Sequence, residues 1–400
     1  MTTDTTVLIS GAGIAGPSLA HWLRRFGFVP TVVEQAPGLR DSGGAVDFRG
    51  AQVEVLRRMD ILAAVQAQQT AMGAQVVIDG DGEPLVNLPS AFFSGEVEIE
   101  RGDLARILYD LTRDTTEYVF GDSITSLAET TDGVDVTFRH GAPRTFDLVV
   151  GADGMHSAVR RLAFGDESRF RQDMGYCFAG FTAPNHLGLD HSGVIYNVPG
   201  RGALVSSSRD SSRAGVGFVF AAPESPYARH DQAEQKRIVA DAFAGAGWRT
   251  DALVELMHDA DDLYFDSLSQ IHLDSWSRGR VVLLGDAAWC AGPGGSGTGL
   301  AMIGAYVLAG ELVAAPGDHG LAFARYEERL RPGAELGQKQ AKGAGPFLAP
   351  PTERKIRRRN RFYKLLSSRL LAGAFNRLTA GAANSVPVPD YPEPVALVAS

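Results

Sequence analysis

Residues 6 to 34, TVLISGAGIAGPSLAHWLRRFGFVPTVVE, constrain what this chain folds into more than any other stretch. Val7 to Ile9 read as a short buried strand, and Gly11, Gly13 and Gly16 fit the spacing G-x-G-x-x-G. Leu19, Leu23 and Phe26 then give a helix its apolar face, Gly27 ends it, and TVVE is a second strand closed by Glu34. Gly11 permits a tight turn, Gly13 lets a pyrophosphate approach the backbone, and Gly16 lets helix and strand pack closely. Ile14 and Ala15 lie at the helix N-terminus, whose unpaired N–H groups and positive dipole end favour phosphate. Glu34, 21 residues after Gly13 and followed by Gln35, stands where an acid holds both hydroxyls of a ribose. The unit predicts an adenine dinucleotide bound without a 2′-phosphate.

A second glycine loop lies far downstream, in RVVLLGDAAWCAGPGGSGTGLAM, residues 280 to 302. One nucleotide needs one phosphate cradle, so the two loops call for a joint explanation. Between them come Arg101-Gly102-x-Leu104 and Gly151-Ala152-Asp153-Gly154-x-x-Ser157, ahead of Gly285-Asp286.

With these four motifs in this order, residues 1 to about 335 closely resemble the class A flavin monooxygenases, the single-component family that includes p-hydroxybenzoate hydroxylase. The resemblance implies FAD, with NADH or NADPH as a transient electron donor and O2 as co-substrate. It places Asp286 on the ribityl chain, Arg101 near the pyrophosphate–ribityl region, and Asp153 in a motif tied to both FAD and the donor. Arg49, after Gly43-Gly44, falls where the family has a mobile flavin-contacting segment. FAD is long, so the first loop grips its pyrophosphate and the second holds the ribityl–isoalloxazine end. Bulky side chains would bar the ring there, hence Gly292, Gly294, Gly295, Gly297 and Gly299. Gly285, Pro293, Thr298 and Leu300 complete the expected cofactor contacts. A helix beginning near Thr298 aims its positive end at the flavin, favouring the reduced anion by about 0.3–2 kcal/mol.

GPSLAHWLRRFGF, VDFRG, ERGDL, GADGMHSAVR and DSWSRGRVVLLGDAAWC together resemble the tetracycline-inactivating members of that family and their actinobacterial relatives. Trp289 stands where the family often has His or Tyr, and AGPGG replaces a proline-rich run, which reshapes the substrate-facing rim. The activity implied is insertion of one oxygen atom, through a flavin C4a-hydroperoxide, into a polycyclic aromatic or polyketide-type molecule. It serves either biosynthesis or antibiotic inactivation. No side-chain nucleophile is needed, and no Ser/His/Asp or Cys/His arrangement stands out. The alternatives are an FAD-dependent oxidase or dehydrogenase without oxygen insertion, and a non-catalytic FAD-containing protein that binds a polyketide.

From about Gly175 to Ile271 the texture changes to short apolar runs bounded by Gly, Pro, Ser and Asp, as an antiparallel sheet requires. The fold expected is therefore α/β: a Rossmann-like FAD-binding domain with an inserted antiparallel substrate-binding sheet and a C-terminal helix. The FAD-binding domain takes 1–74, 99–173 and 277–340, the sheet 75–98 and 174–276, and the C-terminal segment 341–400. Phe178, Phe181, Tyr196, Phe218 and Phe220 on the sheet, with Arg213, Trp289 and Pro293, are the candidate substrate contacts, although strand aromatics face a core more often than a ligand.

The formal charge of −9 argues against a nucleic-acid partner. Nine Lys/Arg and one acid fall between Glu353 and Leu378, however. A C-terminal helix docked by its Leu/Phe face is the expected form of that segment, with a membrane-surface helix as the alternative. Cys177 and Cys290 make no disulfide framework, and no His/Cys spacing suggests a metal. With no signal core and no run of about 18 apolar residues, a cytoplasmic monomer or homodimer outside the membrane is expected.

Overall fold

The computed structural model describes residues 4–40, 43–90, 95–222, 231–294, 297–366 and 386–392. Gly295 of the second loop and residues 367–378 of the basic segment lie outside them. The chain opens with β1 (Thr6–Ser10), α1 (Ala15–Arg25), β2 (Val29–Glu34), β3 (Ala45–Phe48), α2 (Ala51–Arg58) and α3 (Leu62–Ala67). Next come β4 (Gln75–Ile78), β5 (Pro84–Leu88), β6 (Val97–Glu100), α4 (Arg101–Thr112), β7 (Glu117–Phe120), β8 (Ile124–Glu129), β9 (Val134–Phe138), β10 (Arg144–Phe146) and β11 (Leu148–Gly151). After α5 (Ala158–Ala163) follow β12 (Arg171–Pro184), β13 (Ser192–Val198), β14 (Arg201–Ser207), β15 (Arg213–Ala221), α6 (Gln232–Phe243), α7 (Thr250–His258) and β16 (Tyr264–Ile271). The last elements are β17 (Ser277–Arg278), β18 (Val281–Leu283), α8 (Asp286–Trp289), α9 (Gly297–Ala314), α10 (His319–Ala341), α11 (Ala344–Leu348) and α12 (Glu353–Leu366).

One six-stranded sheet runs β17-β18-β11-β1-β2-β7, parallel except at the β17 edge. Its central strands are buried on both faces, which is why Val7–Ile9, Val149–Val150 and Val281–Leu283 are continuous apolar runs. Helix α1 lies against α9, and α9 against α10. Leu19 and Leu23 of α1 are fully buried, each contributing about 1.5–3 kcal/mol. Helix α9 is apolar on all sides because it is a core helix: it is long and apolar enough to cross a membrane, yet 78% of it is buried within the protein.

A seven-stranded sheet runs β16-β12-β15-β14-β13-β4-β5 and is antiparallel except where β13 pairs with β4. Strands β4 and β5 thus join the later run despite their early place in the chain, whereas β6 pairs with β3 in a separate ribbon. Helices α6 and α7 cover one face of the seven-stranded sheet. The small sheet β10-β9-β8 has no counterpart in the sequence reading.

Helix α12 docks through Ile356 and Tyr363, and Arg359 donates to Asn197 Oδ1 at 2.6 Å. Of the expected Leu/Phe face, Phe362 and Leu365 are 56% and 61% exposed, and its residues from 367 onward lie outside the described ones. Residues 386–392 lie against α2 and α9. Arg58 and Tyr306 both donate to the Pro389 carbonyl, and the Tyr391 hydroxyl donates to buried Glu311.

Candidate active site

The three glycines of the first loop do different work. At Gly11, φ is +108° and a Cβ would stand 2.5 Å from the Ala152 carbonyl oxygen, while at Gly16 it would stand 1.9 Å from that of Gly11. Both are demanded by the fold. A Cβ at Gly13 would meet nothing within 4 Å, so that side of the loop is open to a ligand. Helix α1 begins there with no side-chain cap on Ile14 and no acid in its first turn, leaving its N–H groups and positive end unspent. Glu34 accepts from the N–H groups of Ala12 and Ala36, each at 2.9 Å, and its oxygens retain lone pairs for ribose hydroxyls. Gln35 is exposed beside it. These residues fit the pyrophosphate and ribose of a dinucleotide.

The second loop meets the first. Gly285 has φ 65° and ψ −140°, and a Cβ there would lie 3.3 Å from the Ala301 Cβ and 3.4 Å from that of Ala15. The N-terminal ends of α1 and α9 therefore flank one glycine. Asp286 follows, with Gly297 beside its carboxylate. Gly299 leaves room for the Gln52 side chain, which a Cβ would strike at 2.3 Å. Burial pushes the Asp286 carboxyl up, opposed by the charge of Arg101 and a hydrogen bond from Cys290. Pro293 and Thr298 are half-buried and Leu300 is buried. Gly43 packs on the Arg101 side chain, and Arg49 pairs with Asp47 at 2.9 Å.

Asp153 is held within the protein. Its carboxylate accepts from the Ser10 and Ser157 hydroxyls and from the N–H groups of Ala158 and Val159. With four hydrogen bonds inside the protein, it ties β1 to α5 and holds the Gly151–Gly154 turn.

Four of the candidate substrate aromatics are corrected. Phe181, Tyr196, Phe218 and Phe220 are buried beneath α6 and α7, and the Tyr196 hydroxyl donates to the Ala246 carbonyl. Side chains alternate along a strand, so Phe178 points the opposite way from Phe181, and it packs with Leu204, Val219 and Leu268 instead. Arg213 is exposed at the start of β15, on the Phe178 side by the same alternation. Trp289, 1% exposed, packs on Trp276 with ring centroids 4.5 Å apart within the core of the parallel-sheet layer and reaches no rim.

Two residues escaped the sequence reading. His156 Nε2 lies 2.9 Å from Asp266 Oδ2, and its Nδ1 lies 3.0 Å from Glu167, which in turn pairs with buried Arg160. Arg160 also donates to the Ala287 carbonyl, one residue beyond Asp286. The signal for His156 was its place inside the Gly151–Ser157 motif. Tyr264 begins β16, a strand that packs on α8, and only strand alternation hinted at it.

Residues 4–333 match the FAD binding domain family. An uncharacterized protein of Mycobacterium tuberculosis (strain ATCC 25618 / H37Rv) is 42% identical over 340 residues, 83% of this chain and 91% of that protein. A flavin-dependent monooxygenase of an unknown prokaryotic organism is 40% identical over 337 residues, 83% of this chain and 87% of that one. Among solved structures, tetracycline destructase Tet(55) superposes with a TM-score of 0.84 at 35% identity, covering 98% of this chain and all of that one, 100%.

Proposed function

The chain belongs to the FAD binding domain family of flavin-dependent monooxygenases, and we propose that it inserts one oxygen atom from O2 into a polycyclic phenol or enol at the expense of NAD(P)H. The observation that carries this reading is the meeting of the two glycine loops at Gly285, between Ala15 and Ala301, with the open side of Gly13 alongside. When bound there, FAD supplies hydride acceptance and oxygen transfer.

The protein's part is to bind, orient and exclude water. The N-terminus of α1 and the backbone at Gly13 hold the pyrophosphate, and Glu34 holds the adenosine ribose. Asp286 and Arg101 hold the ribityl side, and the positive end of α9 stabilises negative charge on the reduced ring. Phe178, Arg213 and Pro293 remain as the candidate substrate contacts. The division into an FAD-binding part (1–74, 99–173, 277–340) and a substrate sheet (75–98, 174–276) belongs to this proposal, as does a cytoplasmic location.

The likeness to a tetracycline destructase makes tetracyclines the first compounds to test. The enzyme is incubated with NAD(P)H and 18O2 over a panel of polycyclic phenols that includes tetracyclines, and product masses are read. A product bearing one 18O atom is expected. NAD(P)H consumption that yields H2O2 alone with every panel member would instead support the oxidase reading.

A further inference from the structure

Helix α12 concentrates charge of one sign. Of the 38 Lys/Arg and 47 Asp/Glu in the chain it holds seven and one, so the helix stands at +6 and the rest of the protein at −15. Burial fixes which way it faces. Ile356 and Tyr363 are buried, and Tyr363 packs with Val77, Val86, Leu88 and Ile195 of the seven-stranded sheet. Arg359, on the same side, is committed to the Phe347 carbonyl and to Asn197. At about 100° per residue, the opposite side holds Arg354, Arg358, Arg361, Phe362 and Leu365 within an arc of about 100°. All five are exposed. Among the described residues, the one acid of the helix, Glu353, pairs with Arg357 at 4.0 Å. The side chains of Arg354, Arg358 and Arg361 make no hydrogen bond or ion pair with a described residue.

Phe362 and Leu365 are 56% and 61% exposed, more than any other large apolar side chain among the described residues. Arginines alone would suit any polyanion. Two large apolar side chains set among them narrow the partner, because a headgroup layer takes the charges and the acyl boundary beneath it takes the apolar groups. Shape points the same way. A bilayer is flat and can meet this face alone, whereas a nucleic acid would run on over the acidic remainder of the surface.

We propose that the outward face of α12 docks on anionic lipid bilayers, with Arg354, Arg358 and Arg361 meeting the headgroup phosphates while Phe362 and Leu365 enter the acyl boundary. The same bilayer repels the acidic remainder of the protein, so contact is confined to α12 and binding has one orientation. The helix stays docked on the sheet throughout, since the side chains that meet lipid are not those that meet protein.

The test is co-sedimentation of the FAD-loaded protein with vesicles of phosphatidylcholine alone, and of phosphatidylcholine and phosphatidylglycerol in equal parts. Sedimentation with the second and not the first is expected, and it should fall steeply as salt is raised. Arg354→Gln, Arg358→Gln and Arg361→Gln, combined, should weaken partitioning about a hundredfold, at about fivefold per charge. Phe362→Ser with Leu365→Ser should weaken it by at least about tenfold at unchanged charge. Both variants should keep the melting temperature and flavin content of wild type, because none of the five side chains is buried. Failure of wild type to sediment with the anionic vesicles overturns the proposal, and so does binding that survives loss of the three arginines. Binding that is lost with the arginines but indifferent to the two serine replacements overturns it too, and points to a soluble acidic partner instead.

Discussion

His156 Nε2 lies 2.9 Å from Asp266 Oδ2, and through this contact the loop after β11 grips the edge strand of the large sheet. Its other nitrogen meets Glu167, so a single imidazolium bridges two carboxylates, and Arg160 supplies the second charge at Glu167. Burial disfavours its charge, but the bonds to Asp266 and Glu167 outweigh that and raise the His156 pKa above its usual value. A raised histidine pKa contributes stability that is fully present below the unfolded value near 6.5 and is lost as pH rises through the folded value. His156→Gln should therefore cost up to about 3 kcal/mol at pH 6, and less at higher pH. Urea unfolding at a series of pH values checks this, and a constant difference between the two proteins across the series would contradict it.

The first loop separates folding glycines from a binding glycine. Gly16→Ala should unfold the turn, because its Cβ would stand 1.9 Å from the Gly11 carbonyl oxygen. Gly13→Val should leave the melting temperature of the apoprotein within a degree or two while lowering FAD affinity at least tenfold, since only a ligand fills that space. Absorbance of the bound flavin after gel filtration, beside a thermal melt without FAD, distinguishes the two.

Gly285 should tolerate no substitution. Its φ of 65° with ψ of −140° belongs to glycine, and a side chain would crowd Ala15 and Ala301 together. Gly285→Ala is expected to cost about 1–3 kcal/mol and to reduce flavin occupancy along with stability. Full occupancy in a destabilised variant would show that the two loops do not share one ligand.

Trp289 is a core residue, and its variants should behave as such. Trp289→Ala should lose about 3–5 kcal/mol through the cavity left against Trp276 and Tyr326. Trp289→Phe should melt earlier than wild type while keeping KM for any substrate found. A KM shifted without a stability change would return Trp289 to the substrate pocket.

His21, in α1, makes acid a stress on the fold. Burial, and next the charge of Arg25, lower its pKa to about 3, so it is neutral in the native protein. Its stabilising contribution is present above pH 6.5 and is lost as pH falls toward 3, because the unfolded chain takes up the proton first. His21→Phe should flatten the decline in melting temperature between pH 6.5 and pH 4, and an unaltered slope would exclude His21 as a cause.

Much of this protein is written locally. Helix α1, its glycine turn and Glu34 follow from residues within 29 positions of one another, because turn geometry and helical periodicity act over short distances. The Gly285-Asp286 turn and the strands β12 to β15 were legible for the same reason. What lay out of reach was the choice of face. Phe178 and Phe181 are both aromatic residues on one strand, yet the first borders the proposed site and the second lies under α6 and α7. Only the docking of those helices, from 50 or more positions downstream, decides which face becomes core. In the same way, Trp289 follows a cofactor motif but turns inward onto Trp276, and Asp153 spends its carboxylate on Ser10, 143 residues earlier. The sequence by itself determined the cofactor class and the elements that cradle it, since those are backbone properties. The tertiary structure alone decided that His156 joins the sheets and that Tyr264 stands open on the edge strand, since burial and partnership exist only once distant segments pack.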